Sequence, residues 1–153
     1  MDMIQKDIWK TLEYGYFDAV CIITNGEVSE GSATMKTYTA TYIKDMFPTI
    51  DSILGDYLSR YGIRVFKLGI IKSKEDINVH IVSFPSKYYN KDKSNIQLIY
   101  HSYKELIELM NKNKWYKVLL PIPIEEDDPI TEADLFSLLY PIYDKRIQLI
   151  KHK

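Results

Sequence analysis

Two apolar runs limit the folds open to this chain, because their side chains would need cover on both faces of a strand. Val20-Cys21-Ile22-Ile23 and Val118-Leu119-Leu120 are short and rich in branched residues. A strand with one wet face alternates apolar and polar residues, and these runs do not. The pattern predicts a central sheet with helices on both sides.

The other elements follow from periodicity and from turn residues. Apolar, β-branched segments predict strands over residues 18–24, 64–71, 77–84, 115–121 and 146–150. Helical spacing predicts helices over residues 37–46, 50–61 and 95–112, and another that follows Thr131 and bends or ends at Pro141. Ser94 and Gln97 have the spacing of a capping box. Loops are expected over residues 72–76, hairpin-like, and 125–129, exposed.

This order of strands and helices favours an α/β fold, a three-layer α/β/α sandwich with a central mixed sheet. A length of 153 residues fits one domain, 1–153, with a substantial core. Twenty basic residues against 21 acidic ones give no overall field to recruit nucleic acid or an anionic membrane. Any binding specificity must therefore be local.

The single cysteine, Cys21, lies in an apolar run without a second cysteine to pair with. Together with the lack of a signal-peptide pattern, it leads us to expect a reducing, cytoplasmic location. His80, His101 and His152 fall in a strand, a helix and the C-terminal tail, with no spacing typical of metal ligands or of a Cys-His pair. We therefore expect no catalytic residue, metal or cofactor.

Several short motifs together resemble the macro-domain family, particularly its small phage-encoded branch. In order along the chain they are Asp7-Ile8-Trp9, Ile22-Ile23-Thr24-Asn25-Gly26, Phe47-Pro48, Ser83-Phe84-Pro85-Ser86-Lys87 and Val118-Leu119-Leu120-Pro121. The resemblance implies a three-layer sandwich that binds ADP-ribose or a relative at the ends of the central strands. In that family an acidic residue of the opening motif contacts adenine, and amides of two glycine-rich loops hold the pyrophosphate.

The resemblance also implies particular binding residues. Asp7 would contact the adenine, Ile8 beside it would also belong to the ligand site, Asn25 would face the distal ribose, and Phe84 would offer a stacking surface. The two polar residues can equally have structural roles instead. Asp7 can be a turn or cap residue, and Asn25 can be part of an Asn-Gly turn. Phe84 can equally belong to a strand that ends in a proline turn.

Both glycine-rich loops are replaced in this sequence. Met35 to Ala40 carries Lys36 and Tyr38, and Ile124 to Ile130 carries four carboxylates beginning at Glu125. Like charges about 4 Å apart repel by roughly 4 kcal/mol at an effective dielectric near 20. We therefore expect ADP-ribose to bind weakly or not at all, with Lys36 and Tyr38 filling the old pocket or contacting a new ligand.

Three functions remain open. The first is a non-catalytic binding protein with a remodelled pocket, recognising an altered nucleotide-derived ligand or a host protein, as would suit a phage product that counteracts host defence. The second is an active ADP-ribose binder or ADP-ribosyl hydrolase. The third is a scaffold without a small-molecule site. The sequence specifies no oligomeric state.

Overall fold

A six-stranded sheet forms the centre of the computed structural model, which describes residues 1–153. Its elements in chain order are β1 (Met3–Lys6), α1 (Ile8–Tyr14), β2 (Ala19–Asn25), β3 (Val28–Ser29), β4 (Ser32–Ala33), α2 (Tyr38–Met46), α3 (Ile50–Tyr61), β5 (Phe66–Lys72), β6 (Asn78–Lys87), α4 (Ile96–Asn113), β7 (Val118–Pro121), α5 (Glu132–Leu139), a 3₁₀ turn (Tyr140–Ile142) and β8 (Ile147–His152). Strands β3 and β4 form a separate two-stranded hairpin.

The sheet has the order β1-β8-β7-β2-β6-β5, and only the edge strand β5 is antiparallel to its neighbour. Alternate residues of β2 point to opposite faces, as the strand geometry requires. Val20 and Ile22 pack in a core of 18 buried residues under α1, α2 and α3. Cys21 and Ile23 pack in a second core of 16 residues under α4 and α5. The sheet is thus covered on both faces, and the predicted three-layer α/β/α sandwich is confirmed.

The predicted helices and strands are confirmed to within about three residues at their ends. One capping assignment was wrong, because the N-cap of α4 is Asn95, whose side chain accepts a hydrogen bond from the Leu98 N–H. The Ser94 hydroxyl instead donates to Asp128, 2.6 Å away. No helix of the structure is long and apolar enough to cross a membrane.

Three segments went unpredicted: β1, α1 and the β3–β4 hairpin. Helix α1 has only seven residues, too few for a periodic pattern to stand out. Asp7 caps it, with its side chain accepting hydrogen bonds from the N–H groups of Trp9 and Lys10. This places Asp7 in the structural role that the sequence had left open.

Candidate functional site

The sheet divides between its two middle strands, β2 and β7. Strand β2 pairs with β6 along its whole length, but with β7 only through Ala19 and Val20. After β2 the chain passes through the β3–β4 hairpin to α2, which covers one face of the sheet. It enters β7 from α4, which covers the other face. Ligands of open α/β sheets bind at such a switch point, beyond the carboxyl ends of the strands.

Two threonines at the start of α2, the N-cap Thr37 and Thr39, hydrogen-bond to the backbone of β2 where β7 has diverged. The Thr37 hydroxyl donates to the Ile23 carbonyl at 2.6 Å, and the Thr39 hydroxyl accepts from the Ile23 N–H at 3.0 Å. Thr37 also caps α2 by accepting from the Ala40 N–H. These bonds fix the N-terminus of α2 against the gap between the strands.

The first two N–H groups of α2, on Tyr38 and Thr39, have no acceptor in the protein. A helix leaves its first N–H groups unpaired and carries a partial positive charge at this end. Because Tyr38 and Thr39 line the gap, a ligand bound there would lie near both the unpaired N–H groups and the partial positive charge of the helix. No residue of the loop before α2 has a positive φ, so the loop's backbone conformation does not require glycine.

A cleft of about 850 Å³ occupies this position. Its volume lies within the usual range for small-molecule sites. Its walls come from the α2 N-terminus, the β7–α5 loop and the ends of β6 and β8. The lining residues are Ile8, Ile23, Lys36, Thr37, Tyr38, Thr39, Ser86, Ser94, Pro121, Ile122, Pro123, Ile124, Glu125, Glu126, Asp128, Ile130, Thr131, Glu132, Ile150, Lys151 and His152.

The acidic loop between β7 and α5 is tied to the segment that follows β6. Lys93 hydrogen-bonds to Asp127 at 2.6 Å, and the Lys87 ammonium lies 3.6 Å from a Glu125 oxygen. Asp128 accepts hydrogen bonds from the Ser94 N–H, the Ser94 hydroxyl and the Glu125 N–H, at 2.6–2.9 Å. Three of the four carboxylates therefore have partners, which reduces the repulsion expected from their sequence.

Asp128 gives a pH-dependent contribution to stability that can be measured. Partial burial raises the pKa of a carboxyl, but hydrogen bonds from Glu125 and Ser94 outweigh it and lower the pKa of Asp128. Its stabilising effect is therefore complete above the ordinary aspartate pKa near 4 and is lost as pH falls through the lower folded value. We expect Asp128→Asn to cost about 1 kcal/mol at pH 7 and progressively less as the pH falls below the ordinary aspartate pKa. Urea unfolding of both proteins across this range checks it, and a pH-independent difference would contradict it.

One end of the cleft is closed by aromatic residues from three elements. His152, at the end of β8, accepts the Ile8 N–H through Nδ1 at 3.2 Å, and its ring centroid lies 4.4 Å from that of Tyr38. The Tyr38 hydroxyl accepts from the Trp9 indole N–H at 3.1 Å. The Trp9 ring in turn stacks on Tyr42 at 3.8 Å. The prediction that His152 lies in a tail was wrong, because β8 extends to this residue in pairing with β1.

Of the seven binding residues predicted from the sequence, four line the cleft: Ile8, Lys36, Tyr38 and Glu125. Tyr38 is half exposed at the rim, so it does not plug the space. The other three do not line the cleft, as the following contacts explain.

Asp7, Asn25 and Phe84 are each engaged elsewhere. Asp7 caps α1. The Asn25 amide donates to the Thr34 carbonyl and its oxygen accepts from the Glu27 N–H, so both ends are used in the turn after β2. Phe84 is completely buried in the core under α4, and it has no open face on which a ligand could stack.

Sequence reasoning missed the contributions of His152, Ser94 and Lys87. Ser94 had been interpreted as a helix cap, and Lys87 only as part of a motif. Its position three residues after the strand predicted over residues 77–84 was the one signal available for Lys87, and it is a weak one. No group of three or more His, Cys, Asp or Glu side chains in the structure is arranged to hold a metal ion.

Comparison with known proteins gives matches in structure only. No protein-family model matches the sequence, and no curated protein matches it either. The macrodomain of Mycobacterium tuberculosis DarG superposes with a TM-score of 0.69 at 15% identity, over 98% of this chain and 99% of that one. The macrodomain of Thermus aquaticus DarG gives 0.66 at 14% identity, over 99% of each chain.

A third match is a structure of Thermosipho africanus DarTG in complex with ADP-ribose. It has a TM-score of 0.64 at 15% identity, and covers 88% of this chain and 38% of that one. At these identities the matches establish the architecture alone. The strand order, the two helical layers and these superpositions together show that the chain has the macrodomain fold.

Proposed function

We propose that the cleft binds a nucleotide-derived small molecule of the ADP-ribose class, and that binding rather than catalysis is its main role. The observation that carries the proposal is an open cleft of about 850 Å³ beyond the carboxyl ends of the central strands, lined by the first two residues of α2, whose N–H groups have no acceptor in the protein. Such groups suit a phosphate. The match to a DarTG structure that contains ADP-ribose supports the ligand class.

The charges in the cleft favour an altered ligand over ADP-ribose itself. Lys36 and Lys151 line it, and Lys151 is already 3.3 Å from Glu132. Glu125, Glu126 and Asp128 add three further carboxylates. A dianionic pyrophosphate meets more negative than positive charge there, and a ligand with fewer phosphate charges meets less repulsion. A role in capturing a host nucleotide signal fits such selectivity.

Calorimetric titration with ADP-ribose, ADP, AMP and adenosine tests the proposal. We expect at least one saturable 1:1 complex, with a ligand other than ADP-ribose bound most tightly. A complete lack of binding across the panel would reject the nucleotide class. Micromolar or tighter binding of ADP-ribose would contradict the predicted weak binding while supporting the cleft as its site.

Charge reversal at the exposed Lys36 should selectively weaken the binding of ligands that carry a phosphate. We expect Lys36→Glu to reduce AMP affinity about tenfold, or about 1.4 kcal/mol, and to leave adenosine binding nearly unchanged. Lys145→Glu makes the same charge change in the loop before β8, at the end of that strand opposite the cleft, and serves as the control. Equal losses in both variants would show only a long-range effect of net charge.

Hydrolysis of an ADP-ribosyl linkage is a second candidate, favoured by one observation. The Lys87 ammonium lies 3.6 Å from the carboxylate of Glu125, which lines the cleft. An amine and a carboxylate so placed can exchange a proton with a bound substrate. Release of ADP-ribose from an ADP-ribosylated peptide or oligonucleotide, lost in both Lys87→Ala and Glu125→Gln, would favour this second function over binding alone.

A further inference from the structure

His152 is held at the cleft in one hydrogen-bonding state. It is the last residue of β8, and its ring lines the cleft. Its Nδ1 atom accepts the Ile8 N–H at 3.2 Å, so this nitrogen carries no proton. A neutral imidazole has one ring N–H, which is therefore on Nε2. The bond from Ile8 is the only hydrogen bond of this side chain, so the Nε2–H has no acceptor in the protein.

A second hydrogen-bond donor lies beside His152. The Tyr38 hydroxyl accepts the Trp9 indole N–H at 3.1 Å, and its own proton has no acceptor in the protein. The Tyr38 and His152 ring centroids are 4.4 Å apart, and both residues line the cleft. Trp9 is buried and stacks on Tyr42, which fixes the indole N–H that holds the hydroxyl. The aromatic end of the cleft therefore offers two donors to a ligand.

The carboxylates that could accept an amino group are engaged away from this end. Asp7 caps α1 and does not line the cleft. Glu132, the first residue of α5, lies 3.3 Å from the Lys151 ammonium. Lys151 and His152 are consecutive in β8, so their side chains point to opposite faces of the sheet. The aromatic end thus presents donors without a carboxylate acceptor beside them.

The two donors are placed to meet the base of a nucleotide. Tyr38 is the first residue of α2, where the unpaired N–H groups suit a phosphate, so the aromatic end adjoins the expected phosphate position. Bases stack on aromatic side chains and hydrogen-bond through their edges. An oxo-purine presents two neighbouring acceptors, O6 and N7, whereas adenine presents N7 beside an amino donor.

We propose that His152 and Tyr38 select a ligand whose base carries a carbonyl oxygen in place of the amino group of adenine. The inference deepens the proposed function and rests on it for the nucleotide class. An oxo-purine supplies an acceptor to both donors. Adenine supplies one and brings its amino group against the other donor, and a polar group left unpaired in a binding site weakens the complex.

Calorimetric titration with inosine and adenosine at pH 7.5 tests the proposal, because these nucleosides have the same sugar and no phosphate charge. We expect inosine to bind about tenfold more tightly than adenosine. His152→Asn retains an acceptor for the Ile8 N–H but lacks the distal donor, and it should reduce the preference to about threefold or less. His152→Gln carries an amide N–H near the position of Nε2 and should retain more of the preference.

Nitrogen chemical shifts of the His152 ring give a second readout in the free, unsubstituted protein. We expect a protonated Nε2 and an unprotonated Nδ1 at pH 7.5. The opposite tautomer would overturn the proposal, and this measurement stays decisive if a variant does not fold. Equal or tighter binding of adenosine would also overturn it, as would an unchanged preference for inosine in a His152→Asn protein that thermal unfolding shows to be folded.

The outcomes separate this inference from the proposed function. Binding of adenine nucleotides, without a preference for inosine over adenosine, would reject the inference and support the nucleotide class. A lack of binding by every nucleoside and nucleotide would reject the nucleotide class and the inference with it.

Discussion

Replacing Gly55 by alanine is expected to lower the free energy of unfolding by about 3 kcal/mol, the upper part of the range for overpacking a close contact. A Cβ at this position would lie 2.3 Å from the Gly31 carbonyl oxygen and 3.0 Å from the Ala33 nitrogen. Both are backbone atoms of the β3–β4 hairpin, so no side-chain rotation relieves the overlap. Either α3 or the hairpin has to move.

The sign of this effect makes it a sharp test. In an exposed helix, alanine is about 1 kcal/mol more favourable than glycine, so helix propensity alone predicts stabilisation. Ser59→Ala, at an exposed position of the same helix, is the control and should change stability by less than about 0.5 kcal/mol. Urea unfolding of the three proteins gives the comparison. A stabilised Gly55→Ala protein would mean that α3 does not pack against the hairpin as described.

The β3–β4 hairpin also positions the loop before α2, which lines the cleft. It carries the chain from the end of β2 to Lys36, and Thr34, just after it, accepts the Asn25 amide. A displaced hairpin should therefore shift the loop before α2. We expect Gly55→Ala to weaken ligand binding in addition to destabilising the fold.

The second large effect is expected from Thr39→Val, which removes one hydroxyl and keeps the shape of the side chain. Thr39 is 4% exposed, and its hydroxyl is the acceptor for the Ile23 N–H. Without it, a buried N–H next to the gap between β2 and β7 has no partner. An unsatisfied buried donor costs about 1–3 kcal/mol, so we expect a loss of about 2 kcal/mol.

Thr41→Val provides the matched control in the same helix. The Thr41 hydroxyl donates to the Thr37 and Tyr38 carbonyls within α2, and its loss leaves no buried group of β2 unpaired. We expect it to cost less than about 0.5 kcal/mol. Chemical denaturation measures both variants, and hydrogen exchange at the Ile23 amide should accelerate in Thr39→Val only. Equal costs for the two substitutions would show that the bond to Ile23 contributes little.

Helices α4 and α5 illustrate what could be predicted from the sequence. Thr131 was predicted as the N-cap of α5, and it forms a capping box with Asp134. The apolar spacing of α4 located it within one residue at each end. Such signals are local, since a cap and a hydrophobic face depend on residues a few positions apart. The short α1 and the two-residue strands β3 and β4 carry too few residues for such a signal.

The cleft shows why site residues were harder to predict. Lys36, Tyr38, Ile8 and Glu125, four of the residues named from the sequence, line it. Phe84 does not, because the alternation of β6 directs it into the core under α4. His152 joins the cleft only because β8 pairs with β1 and its last residue meets Ile8, 144 positions away in the chain.

The sequence by itself determined the layered architecture, because doubly apolar strands, helix caps and proline breaks act over a few neighbouring residues. It also determined that residues 35–40 and 124–130 contain no glycine. The tertiary structure alone decided that the cleft stays open and that Lys93, Lys87 and Ser94 hold the acidic loop. These properties depend on which distant segments meet where β2 and β7 separate, and only the assembled sheet brings those segments together.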